Sequence, residues 1–195
     1  MNNYWIPRDT KLLVTSRLHY ELDAASEVWH ALRVTGICEN AGVYLVKKGK
    51  DWIRGLIAFA FEGDPFEAIA KIREYFKLKP WIMEFAEKIY PIMLVTDNLN
   101  EVAEFVEKNA NKMIKENETW RIWVHKHNTK LKRQKVIEKL AEKVNVGKVK
   151  MENPNWYITI HLIKTTIGVA IMKKEHLLQK KDIKVPRTWK DLTII

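Results

Sequence analysis

The sequence predicts an α+β protein built from two compact units. Segments with strand-like and helix-like apolar spacing alternate along almost the whole chain. Of its 195 residues 47% are apolar, eight of them Trp, which is enough for a sizeable core and argues against disorder. No Gly/Ser linker, low-complexity tract or long repeat interrupts the alternation.

Lys11-Leu-Leu-Val-Thr-Ser16 reads as a strand. Leu22, Ala25, Val28, Trp29 and Leu32 then recur at helical spacing, with Gly36 placed to end the helix. Ala41–Val46 and Ile53–Phe61 read as two strands around a turn at Lys48-Gly-Lys-Asp51. Asp64-Pro65 has the form of an N-cap with Pro at the first helical position, and Phe66, Ile69, Ile72 and Phe76 continue that helix. Lys79-Pro80 ends it, and Ile89–Thr96 is a further strand broken by Pro91. Strand, helix, two strands, helix, strand is the order of a ferredoxin-like unit. It is assigned to residues 1–80, with a last strand extending to about 96.

The second unit, residues 81–195, opens at Asp97-Asn98 with a helix that turns Leu99, Val102, Ala103, Val106, Ala110 and Met113 to one face. Trp120–His127 is a strand. Asn128 or Thr129 is expected to cap a helix with Val136, Ile137, Leu140, Ala141 and Val144 inward. Gly147–Met151 is short and extended, and Trp156–Ile163 pairs with Thr166–Met172 as a hairpin. A basic tail begins at Lys173.

Charge divides the chain unevenly. Residues 1–118 carry 16 Lys/Arg against 18 Asp/Glu, and residues 119–195 carry 18 against 6, so the net charge of +10 arises wholly in the second part. A solubility device would be spread over the chain; a polyanion-binding half fits better. The single Cys38 cannot form an internal disulfide, which suits a reducing cytoplasm. No apolar run reaches the roughly 20 residues of a membrane span, and the N-terminus lacks the regions of a signal peptide.

Several chemistries lack their usual residues. The seven Gly stand at 36, 42, 49, 55, 63, 147 and 168, too scattered for a Rossmann or P-loop phosphate cradle. Without clustered Cys and His there is no zinc-finger spacing, and no cofactor is expected. His125-Lys-His127 puts two imidazoles on one face of a strand, but no third ligand is evident, so surface or RNA-facing histidines are expected instead of a metal site.

Nucleic-acid binding has a positive signal. Lys126, Lys130, Lys132, Arg133 and Lys135 fall within ten residues around an expected helix start. A helix N-terminus already attracts anions, so cations there suit a bound phosphate better than they suit the dipole. Strand parity supplies a second set. Trp120, Ile122 and Val124 point opposite Arg121, Trp123 and His125, and Trp156, Ile158, Ile160 and Leu162 point opposite Tyr157, Thr159 and His161. If the apolar sets pack on the helices, Arg121, Trp123, His125, Tyr157 and His161 share the other face. There they could bind bases and phosphates, or be covered by the tail or the first unit.

These segments, taken in order, resemble the THUMP domain. The resemblance rests on Lys88-Ile-Tyr-Pro-Ile-Met93, the long helix after it, Trp120-Arg-Ile-Trp-Val124, the basic helix start, Asn153-Pro-Asn-Trp-Tyr-Ile-Thr-Ile160 and the closing strand with Lys173–Lys181. Upstream, Leu12-Leu-Val-Thr-Ser-Arg17 and Ala24-Ala-Ser-Glu27 look like the start of stand-alone archaeal and eukaryotic THUMP proteins linked to tRNA cytidine acetylation. The resemblance implies an N-terminal ferredoxin-like domain followed by a THUMP domain that holds tRNA in the cytoplasm. It implies a non-enzymatic accessory role in forming N4-acetylcytidine, with a separate tRNA acetyltransferase as partner. The alternative is a general module for structured RNA. The expected RNA-binding residues are Arg121, Trp123, Lys126, Lys130, Lys132, Arg133, Lys135, Tyr157, His161, Lys173 and Lys174. His125 and His127 stand where the family's first strand carries more Arg or Lys.

Overall fold

The computed structural model describes residues 4–183. The chain runs β1 (Thr10–Ser16), α1 (Glu21–Val34), β2 (Gly42–Lys48), β3 (Asp51–Ala60), α2 (Pro65–Leu78) and β4 (Ala86–Pro91). It continues through β5 (Leu94–Thr96), α3 (Leu99–Met113), β6 (Thr119–His127), α4 (Arg133–Ala141), β7 (Lys148–Val149), β8 (Trp156–Ile163), β9 (Thr166–Met172) and β10 (Leu178–Gln179). Two five-stranded sheets result, ordered β10-β4-β1-β3-β2 and β5-β9-β8-β6-β7. The first is antiparallel throughout. In the second, β8 lies parallel to β6 and antiparallel to β9.

Local chemistry accounts for three of the helix ends. Asp64 Oδ1 accepts from the Phe66 amide and Pro65 occupies the first turn, so α2 begins where the sequence indicates. Asn98 caps α3 in the same way through the Asn100 amide. After α1, the Gly36 amide donates to the Arg33 carbonyl with φ at 67°, a left-handed stop that glycine adopts without strain.

The segment from Ile89 to Thr96, expected as a strand broken by Pro91, is two strands that join different sheets. Pro91 ends β4, and the Ile92 amide still reaches the Lys11 carbonyl while the Met93 amide reaches the Val169 carbonyl. The main chain thus crosses between sheets at this step. Leu22 is also reassigned: it belongs to the helical repeat of α1 but is 71% exposed, while Ala24, Ala25, Val28 and Leu32 face the core.

Among the described residues three apolar cores form. One lies between the first sheet and α1 with α2, around Leu12, Val28, Ile57, Phe59, Ile72 and Phe76. A second lies between the other sheet and α3 with α4, around Val106, Ile122, Val124, Leu140, Ile158 and Ile160. The third is the seam where the two sheets face each other, built from Leu13, Leu56, Ala58, Tyr90, Ile163 and Met172, with Ile6 inserted from the N-terminal segment. Among the described residues no helix is long and apolar enough to cross a membrane.

Candidate nucleic-acid interface

Strand parity holds along β6. Trp120, Ile122 and Val124 enter the core beneath α3 and α4, and Trp156, Ile158, Ile160 and Leu162 join them from β8. The opposite residues face the first sheet, and their fates differ with position along the seam. At one end Arg121, Trp123, Tyr157 and Met172 form one wall of a cleft of about 200 Å³. Its facing wall is Lys174, Leu177, Gln179 and Lys181, from the segment that leaves β9 and returns to the first sheet through β10. Trp123 and Tyr157 meet with ring centroids 5.6 Å apart, and Arg121 donates through Nη1 to the Met151 carbonyl at 2.6 Å. The buried Nε of Arg121 has no protein partner. Aromatic faces beside three cationic groups make a site suited to a base and its phosphate.

Further along the seam the same face is closed. His161 is 0% exposed, its ring stacked on His125 at 4.7 Å and meeting Tyr90 edge-on at 4.6 Å. His127 lies nearly parallel to His161 with ring centroids 5.7 Å apart, its Nε2 3.4 Å from His161 Nδ1. The expectation that His161 contacts RNA is therefore corrected, because the first sheet covers it. Burial holds all three imidazoles below their usual range, His125 at about 4 and His161 well below, so they are uncharged at neutral pH. The same burial pushes the Tyr90 phenol up to about 12. Among the described residues no group of three or more His, Cys, Asp or Glu is arranged to hold a metal ion.

The basic segment beyond β6 also differs in form from its expectation. Neither Asn128 nor Thr129 caps a helix. Asn128 turns the chain in a left-handed conformation with φ at 51°, and the Thr129 hydroxyl donates to the Lys164 carbonyl at 2.8 Å while accepting from the Leu131 amide. These hydrogen bonds fold residues 128–132 into a loop against the β8–β9 turn, beside an open hollow of about 650 Å³ that includes Lys130 and Lys164. Only at Arg133 does α4 begin, with Lys132 at the N-cap, no capping side chain and no acidic residue in the first turn. Its first amides therefore lack intrahelical acceptors and lie among cations.

Lys126, Lys130, Lys132, Arg133 and Lys135 are all exposed, and none has an ion-pair partner among the described residues. Of the expected site residues, the structure thus gathers Arg121, Trp123, Tyr157 and Lys174 at the cleft, with Lys126 near the end of β6 and the other four on the loop and first turn where α4 begins. Lys173 stands apart, its amine 5.0 Å from the centre of the Trp156 ring. Gln179 and Lys181 were not singled out by the sequence. The Leu177-Leu178 pair, buried after a basic stretch, was the available sign that the tail re-enters the fold.

Residues 96–172, from the end of β5 to the end of β9, match the family model of the THUMP domain. The fold is similar to PH1313 from Pyrococcus horikoshii Ot3 (TM-score 0.58, 13% identity, covering 84% of this chain and 54% of that one). It is similar to TrmN from Thermus thermophilus (TM-score 0.50, 11% identity, 82% and 44%). A 4-thiouridine synthetase solved as an RNA complex with bound ATP is comparable (TM-score 0.50, 12% identity, 87% and 42%). The chain spans about half the length of these proteins, and the shared fold reaches well beyond residues 96–172. No curated protein matches the sequence.

Proposed function

We propose, from the THUMP domain that residues 96–172 form, that this chain is a tRNA-binding accessory protein that presents tRNA to a separate modification enzyme. The observation that carries the reading is the coincidence of that domain with the basic part of the chain, where residues 119–195 hold 18 Lys/Arg against 6 Asp/Glu. The α4 start and one wall of the cleft, Arg121, Trp123 and Tyr157, lie on elements of this domain, and Lys174 and Lys181 of the facing wall follow it in the chain. A structural neighbour solved with RNA is a 4-thiouridine synthetase, which favours tRNA modification as the setting. We read the first unit, through β4, as ferredoxin-like, since β4-β1-β3-β2 with both helices on one face is the arrangement of that fold.

The mechanism is positional. Binding energy on the tRNA body holds one cytidine at the partner's active site and removes orientational freedom from the encounter. The modification proposed is N4-acetylcytidine, with a cytoplasmic tRNA acetyltransferase as partner and no catalytic group of this chain involved. Nucleoside mass spectrometry of tRNA from cells lacking the protein tests this: N4-acetylcytidine should disappear from tRNA. Unchanged acetylation, with tRNA binding retained by the purified protein, favours a general structured-RNA-binding module instead.

A further inference from the structure

The facing wall of the cleft is the less firmly built of the two. Arg121, Trp123 and Tyr157 sit on β6 and β8, which pair in register from Trp120 with Trp156 to His127 with Ile163. Lys174 and Lys181 sit on a segment that pairs with the first sheet at two ladder positions, Leu178 with Ile89 and Gln179 with Lys88, and is held beyond them by Lys180 on the Glu84 carbonyl and by buried Ile183. What holds the first turn of that segment comes from α2. Arg73 donates through Nη2 to the carbonyls of both Glu175 and Leu177, the latter at 3.1 Å. Phe66 packs on His176 with ring centroids 4.7 Å apart, and His176 Nδ1 accepts from the Lys173 amide.

We infer that Arg73 is a positioning residue of the RNA cleft, fixing the main-chain path that sets Lys174 and Lys181 opposite Arg121. The inference rests on the tRNA-binding reading above and extends it to a residue outside the THUMP segment. Both acceptors of Arg73 are backbone carbonyls, and it has no carboxylate partner among the described residues. Its guanidinium therefore constrains the chain and leaves the two lysines free for phosphate. The two N–H donors of Nη2 are fixed in the guanidinium plane, one for each carbonyl, whereas a lysine amine rotates on its stem and fixes no such pair of directions. In this arrangement the first unit contributes to RNA affinity without touching RNA.

The test is tRNA affinity of the full chain, measured with an unmodified tRNA transcript across a salt series, for Arg73→Gln, Arg73→Lys, Lys174→Ala/Lys181→Ala and the combined triple variant. Arg73→Gln should weaken binding about fivefold to tenfold and lower the slope of log affinity against log salt by about one to two, the share of two phosphate contacts. Arg73→Lys should recover part of the loss. In the Lys174→Ala/Lys181→Ala background, Arg73→Gln should change nothing further, because what it positions is already gone. Phe66→Leu, which loosens the same turn by removing the ring contact, should act in the same direction and serves if Arg73→Gln fails to fold. Parental affinity in a folded Arg73→Gln or Phe66→Leu protein overturns the inference. A loss that persists undiminished in the double-lysine background also overturns it, since Arg73 would then touch RNA itself. Absence of tRNA binding by the parent overturns the functional reading first and the inference with it.

Discussion

At Lys132 the requirements of the helix and of an RNA ligand are opposed. The N-cap position prefers Asp, Asn, Ser or Thr, and the first turn prefers acidic side chains; here the chain carries Lys132, Arg133 and Lys135. Lys132→Asp with Arg133→Glu should therefore raise stability by about 1 kcal/mol through the new cap. The same change should weaken tRNA binding more than tenfold, or about 1.4 kcal/mol on the affinity scale. Thermal melting and a binding titration on one preparation read both effects. Reversal of Lys71 and Lys77 to Glu on α2, where they pair with Glu67 and Glu74, is the control and should matter far less. If the α2 pair does the greater damage, the RNA surface lies on the first unit. The charge excess was legible at these residues because it is a property of composition. The helix start was not: Thr129 has the form of a cap, but its hydroxyl goes to Lys164, a partner 35 positions away.

Secondary elements were legible where periodicity and caps agreed, as in α2 with Asp64-Pro65 and α3 with Asn98. They were misread where a tertiary partner decides. The Ile89–Thr96 run has one apolar pattern, yet Pro91 splits it between two sheets, a choice made by Lys11 on one side and Val169 on the other. β7, two residues long, depends on one turn more than on its own side chains. The turn residue Gly147 has φ at 65°, and the amide of Lys148 after it donates to the Glu118 carbonyl at 3.0 Å. A Cβ at Gly147 would lie 2.6 Å from that same carbonyl oxygen, with Ile114 and Trp120 also in contact. Gly147→Ala combines a left-handed backbone with a backbone clash, and should cost roughly 2 kcal/mol or more in denaturant unfolding. Gly36→Ala shares the left-handed φ, at 67°, but meets nothing within 4 Å, and should cost about 1 kcal/mol. Equal costs at the two positions would mean that the contact with Glu118 contributes nothing.

The whole molecule is organised by the seam, which the sequence left open between an RNA-binding face and a covered one. An amphipathic strand states which residues share a face, but not what lies across from it. The structure answers differently along the same strands: Arg121, Trp123 and Tyr157 line a cleft, while His125 and His161 are shut beneath Tyr90. The Nε2 atoms of both histidines are buried without partners. Lys88 from β4 and Arg133 from the start of α4 add positive charge near His125, and His127 on the same strand adds to it only once acid protonates it. Burial acts first and these cations next, so protonation is disfavoured in the folded state relative to an unfolded imidazole near 6.5. A base whose folded pKa is depressed gives stability that is fully present above the unfolded value and lost as pH falls toward the folded one. With His125 at about 4, the window runs from about pH 6.5 down to 4, and this group alone accounts for a loss of about 3 kcal/mol across it. The melting temperature should accordingly be flat from pH 8 to 7 and fall steeply below 6. His125→Phe with His161→Leu should flatten that fall while keeping the seam apolar. Affinity for tRNA separates this covered arrangement from an RNA-facing one. Histidines held neutral beneath Tyr90 leave affinity nearly unchanged between pH 7.5 and 6.5, where the protein is still fully folded. Histidines facing phosphate would gain charge in that interval and tighten binding as pH falls. A several-fold gain in affinity that disappears in the His125→Phe/His161→Leu protein would therefore mean that the seam opens to admit RNA.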